Sequence, residues 1–133
     1  MNKLIRFLLL NHLDELDSKF KILYEGVVNS LNLPCQTVYL QPTSTTTSTI
    51  GTSAKATDKG YLQVTLHCEN NKGTSLLDEQ ADRIRRHFYQ ATLIDKNQNL
   101  QIIIDNPPLT GGIFFVDGHL AMPITINYTA YEL

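Results

Sequence analysis

The chain has 133 residues and a mass of 15.0 kDa, with 42% hydrophobic residues, 18% charged residues and a formal charge of −2. That length supports one domain, the composition excludes a disordered chain, and a pI near 6.0 argues against binding nucleic acid through counterion release alone. Two cysteines, Cys35 and Cys68, are too few for a disulfide scaffold and suit a reducing compartment.

The first residues carry Lys3 and Arg6, but the apolar stretch at 7–10 is too short for a secretory signal. No run reaches the length needed to span a bilayer, so the chain reads as cytoplasmic in the cell that makes it, with no membrane partner. Leu4, Ile5, Leu8, Leu9, His12, Leu13, Leu16 and Phe20 recur at three- and four-residue steps, which predicts a helix over 2–18 with one buried stripe. A short apolar segment at 22–28 and a break at 29–34 follow. The β-branched and aromatic stretch 37–41 predicts a strand that Pro42 ends.

Nine of the eleven residues at 43–53 are Ser or Thr. Such a tract buries too little apolar surface to form core, yet threonine is strand-compatible. The tract is therefore either a mobile loop or the polar arms of a long hairpin. The clearest strand is 61–69, with Leu62, Val64, Leu66 and Cys68 on one face and Tyr61, Gln63, Thr65 and His67 on the other. A polar turn at 70–73 leads to a second helix, for which Ser75 and Asp78 suggest a capping box. Leu77, Ala81, Ile84 and Phe88 form its inward stripe, and the helix should finish near Gln90.

Strands are expected at 91–94 and 100–105, joined by a turn at 95–99. A hairpin follows, with arms at 114–116 and 119–131 around Asp117 and Gly118. Leu120, Met122, Ile124, Ile126 and Tyr128 point one way along the second arm, while Pro123 suggests a sheet edge or bulge. The expectation is an α+β fold: one two-layer domain over 1–133, a largely antiparallel sheet with two helices packed on one face, and a Ser/Thr-rich arm at about 43–59.

Chemistry is hard to find. No GxGxxG or P-loop is present, and Gly111-Gly112 reads as a loop. His12, His67, His87 and His119 lie on different elements with no metal-ligand spacing. His12 fits a satisfied, partly buried imidazole. Cys68 faces the core and should be inert, whereas Cys35 follows Pro34 in a turn, where greater exposure is expected. The acids at 14, 15 and 17 and at 78, 79 and 82 fit solvated helix faces. Arg83, Arg85, Arg86 and His87 form a basic group without a stacking platform, which favours salt bridging over specific nucleic-acid binding. Polar strand faces and the arm suit a subunit that contacts its neighbours.

The sequence resembles the tail-terminator-like (tail completion) proteins of long-tailed bacteriophages and prophages, the lambda-type tail terminator among them. The resemblance rests on Leu23-Tyr24-Glu25-Gly26-Val27 after the leading helix and on the polar insert ending in Gly60-Tyr-Leu-Gln-Val-Thr-Leu66. It also rests on the polar turn at 70–73 before the LLDEQADRIRRHF helix, and on Pro123-Ile-Thr-Ile-Asn-Tyr128 as closing strand. It covers nearly the whole chain; the repetitive Ser/Thr tract and a Tyr24 where Trp is common depart from the family. The resemblance implies a structural virion protein of the tail or neck, not an enzyme, with no cofactor and no metal. Its copies would form a ring, usually a hexamer, that caps the tail tube, stops its polymerisation and forms the tail side of the head–tail junction. The implied partners are further copies of itself, the tail-tube protein and the head-completion or connector proteins, met in the host bacterial cytoplasm during assembly. Interface contacts are expected at Thr46, Ile50, Lys55, Asp58, Arg83 and Arg86, with Ile50 the large apolar anchor of the arm. The alternatives are another neck adaptor or minor tail protein of the same fold, or a small enzyme or ligand-binding module using Cys35 with His67 or His119.

Overall fold

A computed structural model describes residues 1–16, 18–27, 32–47 and 54–133. The elements run α1 (Asn2–Asp14), β1 (Lys21–Leu23), β2 (Cys35–Thr47), β3 (Ala56–Glu69), α2 (Ser75–Phe88), β4 (Thr92–Asp95), β5 (Leu100–Ile103), β6 (Leu109–Thr110), β7 (Phe114–Val116) and β8 (His119–Glu132). One sheet takes the order β1-β2-β3-β8-β5-β4, and β6 and β7 also pair with β8. The sheet is mixed: β1 lies parallel to β2, and every other pairing is antiparallel. The architecture is α+β.

Alternation decides what each strand contributes. Leu62, Val64, Leu66 and Cys68 of β3 are buried, as are Met122, Ile124, Ile126 and Tyr128 of β8. They join one hydrophobic cluster with Ile5, Leu9 and Leu13 of α1 and Leu77, Ala81, Ile84 and Phe88 of α2. Both helix stripes have the expected spacing, but α1 stops at Asp14, and Phe20 enters the core from beyond it. Asp17, within the expected helix, lies outside the described residues.

The capping expectation at Ser75 is corrected. Thr74 occupies the cap, Ser75 is already helical, and no side chain caps the end. Asp78 stays in the first turn, where a carboxylate complements the helix dipole.

One geometric rule decides the places of Pro42 and Pro123. In an extended strand a residue's N–H and C=O point to the same side, so a proline harms only one ladder. The Leu40 N–H points away from β3 to Glu25 Oε1 (2.6 Å), and Pro42, two residues on, directs its missing donor the same way. Strand β2 therefore does not end at Pro42; it continues to Thr47 through a register shift between Pro42 and Ser44. Pro123 is not at a sheet edge. Its carbonyl accepts from the Gly111 N–H (2.8 Å), so its nitrogen faces the gap between the end of β7 pairing at Ala121 and the start of β6 pairing at Ile124. The β3–β8 ladder passes it unbroken.

The Ser/Thr tract forms hairpin arms as far as it is described, with Ser44 to Thr47 paired against Lys59 to Ala56. At the other hairpin, Asp117 (φ 45°) and Gly118 (φ 80°) both take positive φ, the requirement of the turn that matches strand twist. Gly60 is needed for a different reason. A Cβ there would lie 2.6 Å from the Tyr128 hydroxyl and would also meet the Gln41 carbonyl oxygen, so only glycine lets the ring lie across the strand.

Candidate functional site: the uncharged face of the sheet

The residues between the core positions form the second face of the sheet. Register places Thr37, Tyr39 and Gln41 of β2 beside Thr65, Gln63 and Tyr61 of β3, and those beside Pro123, Thr125 and Asn127 of β8. Thr129 and Tyr131 extend the rows to Ile103 and Gln101 of β5, and then to Thr92 and Ile94 of β4. Between Lys59 at one end and Glu69 at the other, this face carries no Asp, Glu, Lys or Arg. Tyr39, Ile94, Leu109, Phe114 and Tyr131 are exposed on it, Leu109 at 67% and Phe114 at 44%. Charge depletion with exposed tyrosine, phenylalanine and aliphatic groups is the composition of the centre of a protein–protein contact.

One end of this face is closed by polar packing. His67 and His119 are buried, with His67 Nδ1 2.8 Å from His119 Nε2 and His67 Nε2 3.1 Å from Thr37 Oγ1. Burial, followed by the proximity of His119, holds His67 below its ordinary 6.5. Cys35 pairs with His67 across β2 and β3. The exposure expected of Cys35 is corrected: it is the first residue of β2 and is fully buried, and that burial pushes its thiol above the ordinary 9.0. The topology thus brings Cys35, His67 and His119 to one place, but it withholds the exposed thiolate that a cysteine nucleophile requires.

The other two histidines join the helix ends. His12 Nε2–H donates to the His87 carbonyl (2.8 Å) and His87 Nε2–H donates to the His12 carbonyl (2.7 Å), so each ring satisfies an end carbonyl of the opposite helix. The rings stack at 3.8 Å and 11°. Glu15 lies 3.3 Å from His12 Nδ1 and 3.4 Å from His87 Nε2. These three side chains are close enough to suggest a metal site. Imidazole lone pairs lie in the ring plane, however, and near-parallel planes about 3.8 Å apart cannot both contain one ion at a bond length near 2.1 Å. The cluster is a helix-end junction.

On the core side, Arg6 pairs with Glu25 at 2.7 Å, and the same carboxylate oxygen accepts from Leu40. Nearby, Asp58 Oδ1 and the Tyr128 hydroxyl are buried without hydrogen-bond partners among the described residues. Burial, then the Asp58 charge, raises the Tyr128 phenol above its ordinary 10.0, with Arg6 opposing. An open groove of about 960 Å³ runs along the start of α1 and includes Arg6, Phe7, Tyr24, Lys55 and Glu132.

The expected contact residues do not converge. Thr46 is exposed and falls in register with Thr57 and Tyr131, on the same face of the sheet but beyond Lys59. Lys55 is exposed beside the groove, Arg86 is exposed on α2, and half-buried Arg83 donates to Gln80 Oε1 at 3.3 Å. Asp58, at 8% exposure, lies inside the subunit. Ile50 lies outside the described residues. Sequence reasoning missed the extent of the uncharged face, although the signal was present: the alternate positions of 61–67 and 121–131 contain no acid, lysine or arginine.

Among the described residues, no helix is long and apolar enough to cross a membrane. No curated protein matches the chain. Four chains of solved structures match it. One of them shares 14% identity over 98% of this chain and 95% of its own, with a TM-score of 0.76; at that identity the likeness shows the fold alone. The pattern of the family described as phage tail terminator protein matches residues 4–128. The chain therefore belongs to the phage tail terminator protein family and is a structural component of a phage tail.

Proposed function

We propose that copies of this chain close into a ring that caps the tail tube, halts its polymerisation and forms the tail side of the head–tail junction. The observation that carries the reading is the uncharged sheet face with its exposed Tyr39, Leu109, Phe114 and Tyr131. A lone subunit leaves that apolar surface in water, and a neighbouring copy removes it. A ring needs a heterologous contact, in which this face meets a different surface of the next copy and the rotation closes. A hexamer is the ring size that the family resemblance favours.

The hairpin arm extends the same contact, with Thr46 beyond Lys59 on the same sheet face and Lys55 beside the groove; Arg83 and Arg86 serve it from α2. Asp58 is assigned to the subunit interior. The partners are further copies of the chain, the tail-tube protein and the head-completion proteins, and assembly takes place in the host cytoplasm. The work is structural: the buried Cys35 thiol and the imidazoles engaged in hydrogen bonds suit packing rather than catalysis.

The test is assembly of tail-tube subunits with increasing doses of this protein. Capping predicts tubes that shorten as the dose rises, with the protein at tube ends. Tubes that grow to the same length distribution at every dose would contradict it.

A further inference from the structure

Two buried imidazoles share a single hydrogen at the end of the sheet nearest the β7–β8 hairpin. His67 is 9% and His119 5% exposed, and their nitrogens are 2.8 Å apart with the rings edge-on. One N–H fits that gap, with one nitrogen donating and the other accepting. Thr37 Oγ1, 3.1 Å from His67 Nε2, takes whichever role the imidazole leaves. The neutral pair is therefore satisfied in either tautomer. The contact ties the end of β3 to the start of β8, where His119 also pairs through its backbone with Val116 of β7.

We propose that the His67–His119 pair is an acid-released latch, closed while the pair is neutral and opened by protonation, that ties the end of β3 to the start of β8. A first added proton already places a positive charge out of water, which burial disfavours. A second sets two N–H groups against each other at a distance that holds only one, with two like charges out of water. The surroundings offer little compensation. From β2 the pair faces Cys35, a neutral thiol, and Thr37; from β8 it faces Ala121; from β7 it faces Val116. Glu69, in register with His119, and Asp117 in the hairpin turn are the nearby acids, and both are exposed.

The direction of the pH effect follows. A histidine kept neutral by folding gives its full stabilisation above its ordinary 6.5 and loses it as pH falls below that value, because the unfolded chain then binds the proton more readily. The latch goes beyond ring assembly and is read on the single subunit, so either idea can fail without the other.

The experiment measures denaturant unfolding of the intact protein and of His119→Gln between pH 7.5 and 5. Glutamine at 119 can still bond His67 and leaves it free to accept a proton. The wild-type folding constant is expected to fall by up to about tenfold per pH unit below 6.5, and that of the variant more gently. His12 and His87 are common to both proteins and cancel in the comparison. If the variant does not fold, ring-nitrogen NMR of the wild type decides. The latch predicts that the His67 ring stays neutral below its ordinary 6.5 and that amide signals at the end of β3 and the start of β8 are lost when it titrates. Superimposed pH profiles, or a His67 ring that titrates near 6.5 while that junction stays intact, would overturn it.

Discussion

The two faces of the sheet are built from the same strands by alternate residues, and they differ in what completes them. The inner face is closed within the subunit: Ile124, Leu66 and Ile102 pack against the stripes of α1 and α2 and are fully buried. The outer face is as free of charge as the inner one along its middle rows, yet it keeps Tyr39, Phe114 and Leu109 in water. A face without charge along its middle rows and, among the described residues, without a cover differs from an ordinary solvated sheet face, where lysine and glutamate are common. The contrast separates residues that hold the subunit together from residues that the proposed assembly would bury.

Neighbouring residues of β8 break the comparison most sharply. Ile124→Ala should cost about 2–5 kcal/mol in a urea titration, since it removes a fully buried side chain and leaves a cavity. Thr125→Ala, one residue on and facing outward, should shift the same titration by no more than about 0.5 kcal/mol. Equal losses at the two positions would remove the distinction between the faces. A smaller effect than that of Ile124 is expected at the helix ends. His12→Ala deletes the stacked ring and leaves the His87 carbonyl without its donor, a loss of about 1–3 kcal/mol by the same titration. Smaller again than His12→Ala is Arg6→Ala, because the Arg6–Glu25 pair is partly exposed and Glu25 keeps its bond from Leu40; at most about 1 kcal/mol is expected. The thiols supply a chemical counterpart: neither Cys35 nor Cys68 should be alkylated while the protein is folded, and both should react once it is denatured.

Much of the inner face was legible in the sequence because period 2 and period 3.6 are direct records of which side is buried. Leu62 to Cys68 and Leu77 to Phe88 lie where those periods place them. What alternation cannot tell is what lies beyond a strand. The phase of His67 assigned it to the polar face correctly, but its burial comes from His119, 52 residues away, and no local pattern reports that. The same holds for His12 and His87, joined over 75 residues. Pro42 and Pro123 were misjudged because a proline's cost depends on which neighbouring strand its nitrogen faces, a fact of tertiary pairing. The Ser/Thr tract was ambiguous because threonine serves both loop and strand, and its described part is strand because β3 supplies a partner. The expected contacts were drawn to charged residues, Asp58 among them, whereas the broad exposed surface is marked by missing charge.

The most direct test of the claim that the outer face joins subunits is the native mass of the purified protein over a range of concentrations, with and without tail-tube subunits, beside that of Phe114→Asp. Phe114 is half-exposed and makes little contribution to the core, so the variant should unfold at the same denaturant concentration as the wild type. The account predicts a closed assembly of several subunits for the wild type, alone or on tube ends, and a monomer for the variant under the same conditions. An assembly that forms equally well with a carboxylate at position 114, or a wild-type chain that stays monomeric with and without the tube, would contradict it.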